Sequence, residues 1–99
     1  MLITLRQLQY VIAVADTGSF SKAADVCYAE QSTVSQQVKV MEDRLGVQIF
    51  SRGSYPLKVT PDGQRIVENA REIIDRVEDL IKPFKAPGKP SPAAAVPVR

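Results

Sequence analysis

Histidine and tryptophan are absent from this sequence, and cysteine occurs once, as Cys27. Without histidine, the chain cannot build a histidine-ligated zinc or haem site, or a Ser-His or Cys-His catalytic pair. A single cysteine excludes an internal disulfide and a cysteine cluster for zinc, and it favours a reducing, cytoplasmic setting. We therefore expect no enzyme, no metal and no cofactor, and these absences favour a binding function.

Long apolar runs are also missing. No stretch approaches the about 20 apolar residues that a membrane helix needs, and the apolar run at residues 10–15 is too short for an export signal. The composition is otherwise that of an ordinary globular domain, with 44% hydrophobic and 24% charged residues and a net charge of +2. We expect a cytoplasmic protein with no membrane partner.

Composition and charge divide the 99 residues into three segments. Residues 1–60 predict a compact domain of short helices ending in a hairpin, and residues 61–84 predict one long helix. Residues 85–99 are rich in proline and alanine, carry three positive and no negative charges, and predict a flexible tail. Within the first segment, residues 31–60 hold four basic and two acidic residues, which is a local excess of +2.

Apolar spacing and capping residues predict three helices in the first segment, at residues 4–16, 20–28 and 31–46. Gly18 is expected to end the first helix in the left-handed conformation, and Ser19 to cap the second. The buried face of the first helix is predicted to hold Leu5, Leu8, Val11, Ile12 and Ala15. The buried stripe of the third is predicted to hold Val34, Val38, Met41 and Leu45.

The outer face of the third helix is polar and free of acids through its first two turns. Ser32, Gln36 and Lys39 lie opposite Val34 at 100° per residue. Glutamine can bond adenine with both its polar atoms, serine and threonine can bond base edges, and lysine can reach guanine or phosphate. The pattern predicts a helix-turn-helix whose second helix enters the major groove. The alternative is an ordinary solvated helix face.

Two strand-like runs follow, at residues 47–51 and 57–59, around a turn that contains glycine, serine and proline. A hairpin after a helix-turn-helix is a wing, and Arg52 and Lys58 give it the positive charge to touch the DNA backbone or minor groove. For Arg52 the alternative is a surface ion pair. The predicted fold class is therefore mainly α, a winged helix-turn-helix of three helices and a two-stranded wing followed by a long dimerisation helix.

The long helix starts with three favourable residues, a capping Thr60, then Pro61 and Asp62. Its length of about 34 Å equals or exceeds the width of the preceding domain. We therefore expect its apolar stripe to pack against a second chain, and the alternative is a helix folded over its own domain. The stripe holds the predicted dimer-interface residues Ile66, Ala70, Ile73, Ile74, Val77, Leu80, Ile81 and Phe84.

Several short motifs at matching spacing make the sequence similar to a known family. They are 5-LRQL-8, 18-GSFSKAA-24, 31-QSTVSQQV-38, 41-MEDRLGVQIF-50 and 60-TPDG-63. Together they resemble the DNA-binding domain of LysR-type bacterial transcriptional regulators over residues 2–83. The resemblance implies a winged helix-turn-helix, a linker helix that pairs antiparallel with that of a second chain, and recognition of an interrupted palindrome upstream of promoters.

The resemblance also implies roles for individual residues. Base contacts would fall on Gln31, Ser32, Thr33, Ser35 and Gln36. Lys39 and Arg52 would contact the backbone or a groove. Apart from the resemblance, Lys58 on the wing is a further predicted contact of this kind, and Ser21 is expected to be either a helix cap or a phosphate contact.

This chain departs from the family pattern at three of its positions. Many members have proline where Ser32 stands and arginine where Gln36 stands, and some insert a wing arginine where this chain has Tyr55. Members also carry a large effector-binding domain after the linker helix, which this chain lacks. The chain is either an excised domain or a naturally short protein.

The leading function is sequence-specific binding of double-stranded DNA as a homodimer. The alternative is an oligomerisation or interaction module that pairs with full-length relatives through the linker helix without reading DNA. A scaffold would tolerate acids on the outer face of the third helix, and their absence through Lys39 favours DNA reading.

Overall fold

The computed structural model describes residues 2–84, so the tail predicted at residues 85–99 lies outside the described residues. The elements run, in chain order, α1 (Leu5–Thr17), α2 (Phe20–Cys27), α3 (Gln31–Leu45), β1 (Phe50–Ser51), β2 (Lys58–Val59) and α4 (Pro61–Ile81), with a 3₁₀ turn at Lys82–Phe84. The predicted fold class, a winged helix-turn-helix followed by a long helix, is confirmed.

Local capping fixes the ends of the first two helices. Thr4 and Gln7 form a capping box at the start of α1, each accepting from the backbone N–H of the other. Gly18 ends α1 with a φ of 70°, and the hydroxyl of Ser19 accepts from the Lys22 N–H at the start of α2. Both predictions are confirmed, because left-handed closure and serine capping depend only on neighbouring residues.

The core residues of α1 differ from the predicted single stripe. Leu5 is 46% exposed, whereas Tyr10, Ala13 and Val14 are buried beside Leu8 and Val11. The reason is that α1 packs against α2, α3 and α4, so more than one of its sides is covered. Periodicity locates one apolar face, but a central helix buries a wider arc.

The buried stripe of α3 ends earlier than predicted. Val34, Val38 and Met41 are buried, but Leu45 in the last turn is 36% exposed. Glu42 is buried instead, because its carboxylate receives hydrogen bonds from the chain that follows α3.

The wing is a two-residue ladder in which Phe50 pairs with Val59 and Ser51 pairs with Lys58. The predicted strands were longer. They are short because neighbouring amides bond outside the ladder: the Ile49 N–H donates to Glu42, and the Leu57 N–H donates to the Gly18 carbonyl.

The long helix α4 begins as predicted, with Thr60 accepting from the Gly63 N–H at 2.9 Å and Pro61 in its first turn. Val67 and Ala70 are buried, and no residue of α4 beyond Ala70 is buried. The first half of α4 therefore belongs to the packed domain, and the second half leaves it. The described residues span 53 × 25 × 21 Å, as expected for a projecting helix. The domain division at residue 60 stays a prediction.

Candidate nucleic-acid interface

The predicted reading face of α3 is exposed in the structure. Gln31, Ser32, Thr33 and Gln36 are exposed within the first two turns, and Ser35 is half-buried at the edge of the face. The opposite side of the same turns holds Val34 and Val38, both with no exposed surface. The buried side therefore fixes the rotation of α3 about its own axis and leaves the polar side outward.

Charged side chains border this face at both ends. Glu30 occupies the N-cap position, is exposed, and makes no capping hydrogen bond with its side chain. Lys39 pairs with Asp43 at 3.3 Å, and both side chains are about two-thirds exposed. Exposed pairs of this kind contribute little to stability, so Lys39 is free to exchange Asp43 for a phosphate.

Small side chains let α2 pack closely on α3 and set the helix-turn-helix geometry. Ala23 and Ala24 are buried on the inner side of α2. Ser21 is exposed in the first turn of α2, next to the exposed Lys22. Ser21 is thus placed at a helix N-terminus, where partial positive charge and free N–H groups favour a phosphate.

The wing is fixed against the turn between α1 and α2. The Leu57 N–H donates to the Gly18 carbonyl at 2.9 Å. A Cβ added to Gly18 would lie 2.8 Å from the Cβ of Pro56, so the two residues are in close contact. Lys58 on β2 and Tyr55 at the tip are both exposed. The wing therefore presents Lys58 and the hydroxyl of Tyr55 from an anchored hairpin, with Arg52 at its base.

Arg52, a predicted DNA contact, is paired with Glu42. Its Nη2 lies 2.9 Å from Oε1 of Glu42 and its Nη1 lies 3.2 Å from Oε2. The guanidinium also lies over the ring of Phe20, 5.4 Å from its centre. The ion pair considered as the alternative for Arg52 is therefore present, and it joins an Arg52 side chain that is 33% exposed to a Glu42 side chain that is 5% exposed.

Sequence reasoning missed Glu42, which is 5% exposed. Its Oε2 accepts from the Ile49 N–H at 2.8 Å and from the Phe50 N–H at 3.3 Å, in addition to Arg52. The helical spacing already indicates that Glu42 is buried, since it follows Val38 by four residues and so falls on the buried stripe of α3. A carboxylate on such a stripe needs donors to offset its desolvation, and the chain after α3 supplies them.

The predicted dimer-interface residues divide into two groups along α4. Ala70 is 1% exposed within its own chain, and Ile66 and Ile74 are half-buried against the same core. The domain itself covers much of these three side chains, and their place in a dimer interface stays a prediction. Ile73, Leu80 and Phe84 are 44%, 70% and 67% exposed. Val77 and Ile81 are half-buried. The alternative of a helix folded over its own domain therefore holds for the first half of α4 only.

An apolar groove runs beside the first half of α4. Leu2, Leu5, Ile66, Ala70 and Ile73 contribute to its lining, and its volume is about 590 Å³. Leu2 and Leu5 are large side chains left about half exposed at its edge. The groove and the exposed residues of α4 form a continuous apolar surface through Ile73.

An ion pair fastens α4 to α1. Arg71 Nη2 lies 2.6 Å from Asp16 Oδ1, and this hydrogen bond raises the pKa of the Arg71 guanidinium, against a smaller opposing effect of desolvation.

Among residues 2–84, no group of three or more potential ligands could hold a metal ion. No helix in that range combines the length and hydrophobicity needed to span a membrane.

Comparison with known proteins identifies relatives of this geometry. A family model described as the bacterial regulatory helix-turn-helix protein of the lysR family matches residues 5–64. The transcriptional regulator BenM of Acinetobacter baylyi is 37% identical over 81 residues, which cover 82% of this chain and 27% of BenM. OxyR of Escherichia coli strain K12 is 36% identical over 78 residues, which cover 79% of this chain and 26% of OxyR.

Solved structures of related regulators also superpose well on this chain. The BenM_DBD/catB site 1 DNA complex superposes with a TM-score of 0.80 at 36% identity, covering 84% of this chain and 93% of that chain. Vibrio fischeri DarR in complex with DNA superposes with a TM-score of 0.78 at 26% identity, covering 85% of this chain and 29% of that chain. The chain spans about a quarter of the length of the curated relatives it matches. These relatives are named regulators of transcription rather than enzymes, and the chain belongs to the LysR family of bacterial regulatory helix-turn-helix proteins.

Proposed function

We propose that this chain is the sequence-specific DNA-binding part of a LysR-type transcriptional regulator, with α3 in the major groove. One observation carries the proposal: the first two turns of α3 expose Gln31, Ser32, Thr33 and Gln36 while Val34 and Val38 are fully buried behind them. Polar side chains of this kind can form hydrogen bonds with base edges. Because the buried side fixes the orientation of α3, these side chains would keep one position relative to the bases. The DNA complexes solved for related proteins favour this reading over an interaction-only module.

Phosphate contacts position such a domain, whereas base contacts specify its site. Lys39 on α3 and Lys58 on β2 are exposed cations, and Ser21 is exposed in the first turn of α2. We assign these three residues to phosphates, and Gln31, Ser32, Thr33, Ser35 and Gln36 to base edges. Arg52 is left out of this assignment because its guanidinium is paired with Glu42.

The active unit in this proposal is a homodimer that pairs through α4. Ile73, Leu80 and Phe84 are exposed apolar side chains on the half of α4 that leaves the domain, and Val77 and Ile81 lie between them. The groove beside Leu5 and Ile66 offers further apolar surface to the second copy. A two-fold dimer places two copies of α3 on two half-sites, which predicts an inverted repeat as the site.

The complete regulator is proposed to act in the cytoplasm, on the nucleoid, with its effector bound by a further domain. That domain is proposed from family membership, because the chain matches only 27% of BenM and 26% of OxyR. The identity of the effector and the direction of regulation are properties of that whole protein.

In vitro selection tests the proposal. The purified chain is incubated with randomised duplex DNA at moderate salt, and the bound duplexes are sequenced over successive rounds. We expect an enriched inverted repeat whose half-sites lie in successive major grooves on one face of the duplex. No enrichment by a chain that is folded and dimeric would contradict DNA reading and favour the interaction module.

A further inference from the structure

We propose that Arg52 and Glu42 are positioning residues that fix the wing relative to α3, and that neither touches DNA. The inference rests on the proposed function, because the wing position matters only if α3 lies in a groove. It assigns a role to the arginine at the base of the wing that differs from the phosphate or groove contact expected from its charge and location.

The carboxylate of Glu42 gathers donors from one short stretch of chain. It extends from the buried side of α3 and accepts from the N–H groups of Ile49 and Phe50 and from the guanidinium of Arg52. Three residues within a four-residue stretch therefore donate to one side chain that is 5% exposed. Because the bonds include two backbone amides at the entry to β1, they fix the path of the chain into the wing and not only the arginine side chain.

The guanidinium also joins the wing to α2. It lies 5.4 Å from the ring centre of Phe20, the first residue of α2, and that ring meets Phe50 edge-on at 6.4 Å. Arg52 thus contacts α2 through Phe20 and α3 through Glu42. The guanidinium donates one hydrogen bond to Glu42 from Nη1, places Nη2 2.9 Å from the same carboxylate and lies over the ring of Phe20. Turning it away from Glu42 towards a phosphate would cost these contacts. Lys58 and Tyr55, which are exposed on the same hairpin, reach DNA without such a loss.

Removing the carboxylate separates the two possible roles of Arg52. If Arg52 contacted DNA directly, Glu42→Gln would free the guanidinium, and affinity for the selected duplex would hold or rise. If Arg52 positions the wing, Glu42→Gln and Arg52→Gln each weaken binding by about tenfold, the size of one or two lost phosphate contacts. The double variant then matches each single variant, because both remove the same interaction.

The experiment measures binding of these variants to the selected duplex well below each melting temperature, with hydroxyl-radical footprints. We expect protection of the backbone under the wing to disappear while the base preference set by α3 is kept. Lys58→Gln is the matched control, and it should weaken binding without lowering the melting temperature. An unchanged or higher affinity of Glu42→Gln, with a weaker Arg52→Gln, would overturn the proposal.

Nuclear magnetic resonance on the unmutated chain keeps the proposal testable if a variant fails to fold. The Arg52 Nη1–H resonance should stay where it is when the duplex is added, since its hydrogen bond to Glu42 persists. A large shift of that resonance on DNA binding would overturn the proposal. In the free protein, Glu42→Gln should move the amide resonances of residues 49–58, and unmoved resonances would also overturn it. If no duplex bound, these free-protein spectra would still decide the wing positioning separately from the proposed function.

Discussion

Gln36 carries the most direct prediction at the scale of single residues. It is exposed on the second turn of α3, where a glutamine amide can both donate to and accept from one base. We expect Gln36→Ala to reduce discrimination by about 1–3 kcal/mol at one base pair while leaving the rest of the site preference intact. Selection followed by competition binding measures this effect. Gln64→Ala, on the exposed surface of α4, is the control, and equal preferences in the two variants would exclude the contact.

Gly63 shows how closely α4 approaches the chain before the wing. A Cβ at this position would collide with the carbonyl oxygen and carbon of Ile49, which are backbone atoms that cannot turn away. We expect Gly63→Ala to lower the free energy of unfolding by about 1–3 kcal/mol, because the contact forces the backbone to shift. Gly53→Ala, whose Cβ meets nothing within 4 Å, should change stability by less than about 0.5 kcal/mol. Urea unfolding of both variants decides this, and equal stabilities would contradict the close contact.

Residues whose roles depend on their sequence neighbours were predicted correctly. Gly18, Ser19 and Thr60 act through bonds within three or four residues, so their capping could be predicted from local sequence. The pair of Glu42 and Arg52 joins residues ten apart around a turn, and its geometry depends on where the chain enters β1. Spacing within one helix places Glu42 on the buried stripe, but it does not say which donors meet it.

At the scale of elements, the apolar stripe of α4 packs on its own domain along its first half, and we propose that it pairs with a second chain along its second half. Its first half is covered by α1 and its second half is open, and Ile73 lies where they meet. We expect Ile73→Asp combined with Val77→Asp to give folded monomers, because each carboxylate would be buried without a partner in the dimer. Sedimentation velocity measures the change. Asp75→Asn combined with Glu78→Gln, on the exposed charged side, should leave the dimer intact. A dimer that survives the first pair of substitutions would place the interface elsewhere.

The start of each helix followed from the sequence more reliably than its buried face. The predicted start of every helix from α1 to α4 lies within one residue of the observed start, and at α2 and α4 a predicted capping residue marks it. The predicted buried face of α1 was narrower than the observed one, because the number of helices that pack against α1 depends on the whole fold. The predicted strands were longer than the observed ones, because the N–H groups of Ile49 and Leu57 donate to Glu42 and Gly18 rather than across the ladder.

For the whole molecule, the distribution of charge decides how DNA binding responds to salt. The net charge is only +2, and the basic excess of the first segment lies in residues 31–60. Each phosphate neutralised by a cation releases counterions and steepens the salt dependence. We expect Lys58→Gln to reduce the slope of log affinity against log salt by about 1. Lys82→Gln, at the far end of α4, is the matched control, and equal slopes for both variants would remove Lys58 from the interface.

The central claim is that one face of α3 reads the bases. The most direct test is a titration of the isotope-labelled chain with the selected duplex, followed by the backbone amide resonances of residues 2–84. We predict that the largest changes fall on residues 31–39 and on the wing at residues 53–58, with small changes along the exposed face of α4. Changes confined to α4, with the amides of Gln31 to Lys39 unmoved, would contradict the claim.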